Sequence, residues 1–386
     1  ARDPQISLVF SNTTEVGIAL DEGDSPDLSP PRSFPGKLAR FLLERGRAFG
    51  FDPAKGVVVI PCELIEDNGD KLREIVLALA ERWGAEPEFA AWVRDAVPFC
   101  NTLVDRIVPG TPAPEHLERH QEAVGYRDGM LTACEVYRLF AIEGDDALRE
   151  RLGFADADPG VLVTPDVHPY RERKVRLLNG THTIMVPTAL LCGFETVRDA
   201  VTDEAVGAYT RRVLFDEIAP TLRAEGAEAF ARQVLDRFSN PFIRHALVDI
   251  TLQATMKMRV RIVPTVLEYA RTHGRSPEAI AFGFAMFLLF ARGDLQERLR
   301  AAGASVPKDD QGEHLRAYWA ESHEGEGEPG AAARALVHAV CADPALWGTD
   351  LSQVPGWVDS VSAHLARAEA EGAPAALQAL LAKAGQ

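Results

Sequence analysis

The chain has 386 residues, 46% of them apolar and 25% charged, a profile that excludes disordered and collagen-like chains. That length predicts two or three domains. With 41 basic against 57 acidic side chains the formal charge is −16, which argues against a general nucleic-acid or anionic-membrane binder but not against a small anionic ligand at a locally positive site.

The first elements predict an α/β unit. Ile6–Phe10 is a short β-rich run ending in Ser11-Asn12-Thr13-Thr14-Glu15. Pro35–Phe49 has helical spacing, with Leu38, Phe41, Leu42 and Arg45 at i, i+3, i+4 and i+7. Gly56–Pro61 encloses Val-Val-Val-Ile, a continuous apolar run between breakers, as in a strand buried on both faces of a parallel sheet. Asn68–Trp83 is again helical, with Leu72, Ile75, Val76 and Leu79 on one stripe. Strand and helix in alternation imply crossover units and a parallel sheet. The chain opens directly on a strand and has no Gly-x-Gly-x-x-Gly turn, so a preceding segment of roughly 100 residues is expected, from crossover units of about 30 residues each.

The boundary is expected at 158/159, after which the strand signal fades. Segments 170–186, 195–222, 226–238, 242–272, 277–292, 312–321, 330–342 and 356–384 carry helical periodicity or strong helix formers. The most apolar stretch, Phe282–Ala291, is too short for a bilayer span of about 20 residues and predicts a buried helix. Residues 324–330 have the composition of a flexible surface loop. The five cysteines (62, 100, 134, 192, 341) are widely spaced, with no Cys-x-x-Cys pair, and Ala1-Arg-Asp-Pro-Gln is not a secretion signal. Both predict reduced thiols in a cytoplasmic protein.

Three motifs carry chemistry. In Pro169-Tyr-Arg-Glu-Arg-Lys174-Val-Arg-Leu-Leu-Asn179-Gly-Thr-His182, Pro169 suits a first helical turn. At about 100° per residue Lys174 and Asn179 stand about 140° apart and Asn179 and His182 about 60° apart, one broad face. A lysine desolvated or set among cations loses basicity and can take a proton near neutral pH, while an asparagine amide and an imidazole can hold the reacting oxygen. Spacing alone equally fits a solvated basic face bearing Arg171, Arg173, Lys174 and Arg176. Phe99-Cys-Asn101-Thr-Leu-Val-Asp105-Arg106-Ile-Val-Pro109 sends an Asp-Arg pair into an apolar run, either a structural ion pair or a substrate-contacting loop. Pro61-Cys-Glu63-Leu-Ile-Glu-Asp67-Asn68-Gly69 follows the buried strand, where open α/β sheets bind ligands. There Asp67 or Asn68 equally fits a helix cap, and the Asn12–Glu15 run occupies the same kind of place after the first strand.

Weaker signals follow. His116 and His120 form an i, i+4 pair without the glutamate of His-Glu-x-x-His, so no metal is expected. Arg237-Phe-Ser-Asn-Pro-Phe-Ile-Arg244-His245 is a helix break followed by two cationic groups. Lys257, Arg259 and Arg261 form a basic run that fits surface charge or a positive site for an acid substrate.

Taken together the motifs resemble the mannitol dehydrogenase family of long-chain polyol and hexuronate oxidoreductases, over essentially the whole chain. Residues 99–109 look like its Phe-x-Asn-Thr-Leu-Val-Asp-Arg signature, and Lys174, Asn179 and His182 match its Lys-x4-Asn-x2-His motif. Residues 9–15, 60–65, 170–175 and 237–241 are similar to its hexuronate branch. Cys62-Glu63-Leu64 departs from the Cys-Asp-Asn-Leu of the polyol branch, which points away from mannitol.

The resemblance implies an incomplete Rossmann-type sheet over 1–158 and, over 159–386, an all-α domain like that of 6-phosphogluconate dehydrogenase, with the active site between them. It implies metal-independent hydride transfer with NAD to or from a small hexuronate or aldonate, with Lys174 as general base and Asn179 and His182 on the reacting oxygen. Asn101, Asp105, Arg106, Glu135, Arg244, His245 and Lys257 are the substrate candidates, and Asn12, Thr13, Thr14, Glu15, Asp67 and Asn68 the cofactor candidates. A neutral polyol or another hexuronate stays open as substrate. So does a non-catalytic helical binding module, although a binding module has no need of a proton-transfer lysine.

Overall fold

The computed structural model describes residues 1–14, 16–108, 110–112, 114–223, 226–323 and 329–383. It divides into two units, Ala1–Val108 with Cys134–Arg171, and Pro109–Ala133 with Glu172–Gln386. The first is α/β and the second almost wholly helical.

In the α/β unit, strand β1 (Leu8–Ser11) runs parallel to β2 (Val58–Pro61), with Leu8 opposite Val58 and Ser11 opposite Pro61. The Val59 amide donates to the Pro98 carbonyl at 2.8 Å and the Cys100 amide to the Val59 carbonyl at 2.9 Å, so residues 98–100 continue the sheet before β3 (Thr102–Asp105). The β2 side chains alternate: Val57 and Val59 enter one core with Leu38, Leu42, Leu72, Val76 and Trp92, while Val58 and Ile60 enter another with Cys100, Ile142 and Leu152. Burial on both faces is why the run is unbroken, and each such side chain contributes about 1.5–3 kcal/mol. The helix α1 (Phe34–Ala48) starts at Ser33, whose hydroxyl accepts from the Gly36 amide, and α2 (Asn68–Arg82) and α3 (Pro87–Ala96) complete that layer. Arg45, at the end of the α1 stripe, is 1% exposed and donates to the carbonyls of Ala1, Asp3, Ile6 and Lys55.

Two further strands have no sequence expectation. β4 (Leu139–Glu143) pairs antiparallel with β3, and β5 (Val161–Thr164) parallel with β4. The antiparallel step has a local cause. The Glu135 amide donates to the Ile107 carbonyl at 3.0 Å, so the chain re-enters the unit beside the point where it left and must run back along β3.

In the helical unit, Glu278–Ala291 is buried at every position from Ala279 on, the buried helix expected from its composition. It packs against the helices Thr181–Leu191 and Trp357–Glu371. The Glu217 carboxylate accepts the amides of Ala279 and Ile280, both at 2.7 Å, and so closes the N-terminus of this helix. Burial pushes that carboxyl up to about 7. The expected helical stretch 195–222 breaks into α, π and 3-10 pieces, and 242–272 into three helices. Of the expected loop 324–330, residues 324–328 lie outside the described residues. Among the described residues no helix is long and apolar enough to cross a membrane. All five cysteines are free.

Candidate active site

The α/β unit gathers its candidates at the carboxyl ends of β1 and β2. Glu63, only 3% exposed, accepts from the Ser11 hydroxyl at 3.0 Å, the Thr13 amide at 2.9 Å and the Thr13 hydroxyl at 2.8 Å, which fixes the turn after β1. Asn12, Thr13 and Thr14 are exposed on that turn, and Glu15 lies outside the described residues. Asn68 is buried. Its Nδ2 donates to the carbonyls of Pro61 and Glu63, both at 3.0 Å, and its Oδ1 accepts the Thr102 amide at 2.9 Å, tying the end of β2 to the start of β3.

Neither residue of the expected helix cap closes α2 with its own side chain. Asp67 takes the N-cap position in the left-handed region (φ 49°) without a side-chain cap bond, and its carboxylate lies 3.0 Å from Nε2 of His168. The cap comes instead from Asn101, whose Oδ1 accepts the amides of Gly69 at 3.0 Å and Asp70 at 3.1 Å. Its Nδ2 donates to Asp70 at 2.9 Å and Glu143 at 3.2 Å, so both donors and both lone pairs of the amide are used within the unit. Gly69 is required here by proximity: a β-carbon on it would stand 2.5 Å from the Cys100 carbonyl group. Asp105 and Glu135 are buried. The Glu135 carboxylate accepts the Ile107 amide at 2.6 Å, and its carbonyl accepts Nε of the exposed Arg106 at 3.0 Å. Glu143, Asp166 and His168 come close enough to hold an ion, but Glu143 already accepts from Asn101 and Val167, and His168 pairs with Asp166.

The helical unit holds the Lys-x4-Asn-x2-His motif, in a conformation that the sequence spacing did not anticipate. Between the helices His168–Arg173 and Thr181–Leu191, residues Lys174–Gly180 form a π-helix. With i→i+5 hydrogen bonding, Asn179 falls nearly one turn after Lys174, closer to its face than the α-helical angle allows. Such segments occur frequently at functional sites. Lys174 is 9% exposed, His182 is 6% exposed and Asn179 is half-buried.

The alternative of a solvated basic face does not describe Arg176 or Arg173. Arg176 is buried, with Nε donating to the Thr265 hydroxyl at 2.6 Å and Nη2 to the Thr221 hydroxyl at 2.7 Å, and burial lowers its pKa. The Arg173 guanidinium lies over the Phe230 ring.

His182 stacks on Phe238 with ring centroids 3.9 Å apart and meets His245 edge-on at 5.2 Å. Burial first, then His245, Arg261, Arg237 and Lys257, hold its pKa well below the ordinary histidine value, so the imidazole is neutral at neutral pH. Its Nε2 is buried without a hydrogen-bond partner among the described residues. A neutral ring with one unengaged nitrogen can donate to, or accept from, an oxygen on a ligand. His245 is also lowered, by burial. The Lys257 ammonium donates to the Ile250 carbonyl at 3.1 Å.

Arg244 stands apart from this group, exposed and paired with Glu195 at 3.3 Å. Arg237 and Arg261, legible in the sequence only as parts of basic runs, belong to the group. Glu63 was missed, and the Cys-Glu-Leu departure was its one signal.

Comparison with known proteins matches both parts of the chain. Residues 2–154 match the mannitol dehydrogenase Rossmann domain, and residues 166–368 the mannitol dehydrogenase C-terminal domain. The chain is 40% identical over 386 residues to an altronate oxidoreductase of Bacillus subtilis (strain 168), covering 100% of this chain and 77% of the relative. It is also 40% identical over 384 residues to an altronate oxidoreductase of Pectobacterium carotovorum, covering 98% and 77%. In fold it is similar to Pseudomonas fluorescens mannitol 2-dehydrogenase, solved as a ternary complex with NAD and D-mannitol (TM-score 0.71, 24% identity, 99% of this chain and 76% of that one). It is likewise similar to a substrate-free D-sorbitol dehydrogenase (TM-score 0.72, 23% identity, 97% and 75%).

Proposed function

The chain belongs to the mannitol dehydrogenase family, and from that premise we propose that it interconverts D-altronate and D-tagaturonate by NAD-dependent hydride transfer. The observation that carries this reading is the neutral, buried His182, its Nε2 unengaged, on the same continuous π/α segment as Lys174 and Asn179 and under the influence of several cations. A proton-transfer lysine and two oxygen-holding groups suit a carbinol–ketone pair, and the cations suit a substrate that also carries a carboxylate.

The donor set after β1 and β2 fits a nicotinamide nucleotide. Asn12 and Thr14, exposed on a turn that Glu63 holds still through Thr13, offer amide and hydroxyl groups to a ribose or carboxamide, and Asp67 and the buried Asn68 stand at the start of α2. A bound nicotinamide would supply the hydride acceptor for the carbinol carbon, and its reduced form the donor in the reverse direction. Lys174 removes the hydroxyl proton of the aldonate and gives it back to the ketone oxygen in the reverse direction. Asn179 and His182 hold that oxygen, so the charge it gains in the transition state meets fixed donors. His245 and Lys257 lie on the carboxylate side, more favourably than the exposed Arg244. Asn101 shapes the loops around α2, and of Asp105, Arg106 and Glu135 the exposed Arg106 is the one best placed to meet a ligand. We assign 1–158 to the cofactor and 159–386 to substrate and chemistry. We place the reaction in the cytoplasm on the strength of five unpaired thiols.

The test is NADH oxidation with tagaturonate, together with NAD reduction by altronate, mannonate and mannitol. Altronate and tagaturonate should be preferred. A preference for mannonate or mannitol refutes the substrate assignment, and no turnover of any of them refutes the reaction.

A further inference from the structure

The cations around His182 are not equivalent. The helix Ala254–Arg261 carries three, and they point to different places. Arg259 is exposed and lies against Gly348, where a β-carbon would meet its guanidinium at 3.1 Å. Lys257 donates to the backbone carbonyl of Ile250. Arg261 turns toward the motif. Its Nη1 donates to the Thr183 hydroxyl at 3.3 Å, and that hydroxyl donates in turn to the Asn179 carbonyl at 2.7 Å. Its backbone carbonyl would lie 3.4 Å from a β-carbon on Gly180, so the end of this helix abuts the π-helical turn. Arg261 is therefore tied through one threonine to the stretch that contains both Asn179 and His182. Arg237, at the end of the helix Ala227–Phe238 and 8% exposed, adds a second guanidinium close enough to act on the same imidazole.

A guanidinium presents a planar fork that matches a carboxylate, and it discriminates against a hydroxyl more sharply than an ammonium does. We propose that Arg261, oriented by Thr183, reads the carboxylate of the substrate and is the residue that selects aldonates over neutral alditols, with Arg237 and Lys257 reinforcing the local positive charge. The assignment rests on the function proposed above, in which Lys174, Asn179 and His182 hold the carbinol at the other end of the same substrate.

The test compares the full chain with R261Q, R261K and R259Q, under saturating NAD, on altronate and on the uncharged alditol altritol. In R261Q, kcat/KM for altronate should fall between about 10- and 100-fold, the range for a hydrogen bond to a charged group, chiefly through KM. The altronate-to-altritol ratio should fall by a comparable factor, and R261K should recover part of it. R259Q, on the same helix but away from the motif, should stay within about twofold of wild type. A second readout is the rise in melting temperature on adding altronate in the presence of NAD, which R261Q should largely lose. An R261Q protein that folds and loses both substrates equally, or loses altronate by less than about threefold, overturns the assignment. If R261Q fails to fold, an R261K protein whose ratio is unchanged overturns it. Wild-type protein that turns over neither altronate nor tagaturonate refutes the proposed function and removes this inference with it. Wild-type turnover with an unaltered ratio in the variants refutes Arg261 alone.

Discussion

Replacing His182 with phenylalanine should separate stability from activity. The imidazole is stacked on Phe238 at 3.9 Å and nearly parallel, at 11°. A phenyl ring keeps that stack, and an aromatic pair is worth about 0.5–1.5 kcal/mol beyond its area. What it removes is a buried Nε2 without a partner among the described residues. Leaving such an atom unsatisfied costs about 1–3 kcal/mol. The six-membered ring is larger, and crowding offsets part of this relief. The net expectation is a gain of about 1 kcal/mol, a rise of about 2–4 °C in melting temperature for a unit of this size. Activity should move the other way, because removing one donor from a developing oxyanion lowers kcat by about 100- to 1,000-fold. The imidazole is already neutral, so no charge is lost, and the stability gain should be the same at pH 7 and pH 9. Thermal unfolding and steady-state kinetics on altronate test both halves. A variant destabilised by more than about 1 kcal/mol would mean that Nε2 is satisfied in the resting protein. Near-wild-type kcat would remove His182 from the site.

Three other expectations follow from named contacts. Lys174→Ala should lower turnover at least about 100-fold with the circular dichroism spectrum preserved, and near-wild-type turnover would sink its role as general base. Gly69→Ala forces a β-carbon to within 2.5 Å of Cys100 backbone, which cannot swing aside as a side chain can, so the urea midpoint should drop by the equivalent of about 1–3 kcal/mol. An unchanged midpoint would show that α2 stands further from the sheet. A hydrogen bond from His364 is the main cause that holds the Glu278 carboxyl down at about 2, and the two atoms are 3.0 Å apart. A depressed carboxyl adds stability above its unfolded value, near 4.5, and loses it as the pH falls toward 2. His364→Leu should therefore cost about 1 kcal/mol at pH 7 and much less at pH 2, with urea midpoints at the two pH values as the measurement. An equal cost at both would assign the loss to packing.

Where the sequence was legible, a local period matched a local burial. The Val57–Ile60 run is apolar throughout because both faces of β2 are covered, and Ala279–Ala291 because its helix is buried all round. Lys174, Asn179 and His182 were legible as chemistry at a fixed spacing, but their geometry was not. An angle of about 100° per residue holds only while hydrogen bonds run i→i+4. The roles least visible beforehand depend on partners far along the chain. Asn101 caps a helix that begins 33 residues earlier, at Asn68, Glu63 reaches back 50 residues to Thr13, and Arg176 is buried because Thr221 and Thr265 receive it. No period announces such bonds, so the burial of Arg176 and the capping role of Asn101 were not legible.

The same distinction explains how a strongly acidic chain can serve an acidic substrate. A net charge of −16 acts over the whole surface, but at physiological ionic strength it is screened over about 8 Å. Arg237, Lys257 and Arg261 act at short range in a site where burial lowers the effective dielectric, so each counts for far more than one exposed carboxylate outside. Their effect is already felt by His182, which they help to keep neutral. The two demands are coupled: burial is the main reason that His182 stays neutral, and the positive charge that would hold a carboxylate adds to it, keeping a neutral imidazole beside the oxygen whose proton Lys174 moves. A site with the same trio and fewer cations would bind the sugar acid less well and would also let His182 titrate nearer neutrality.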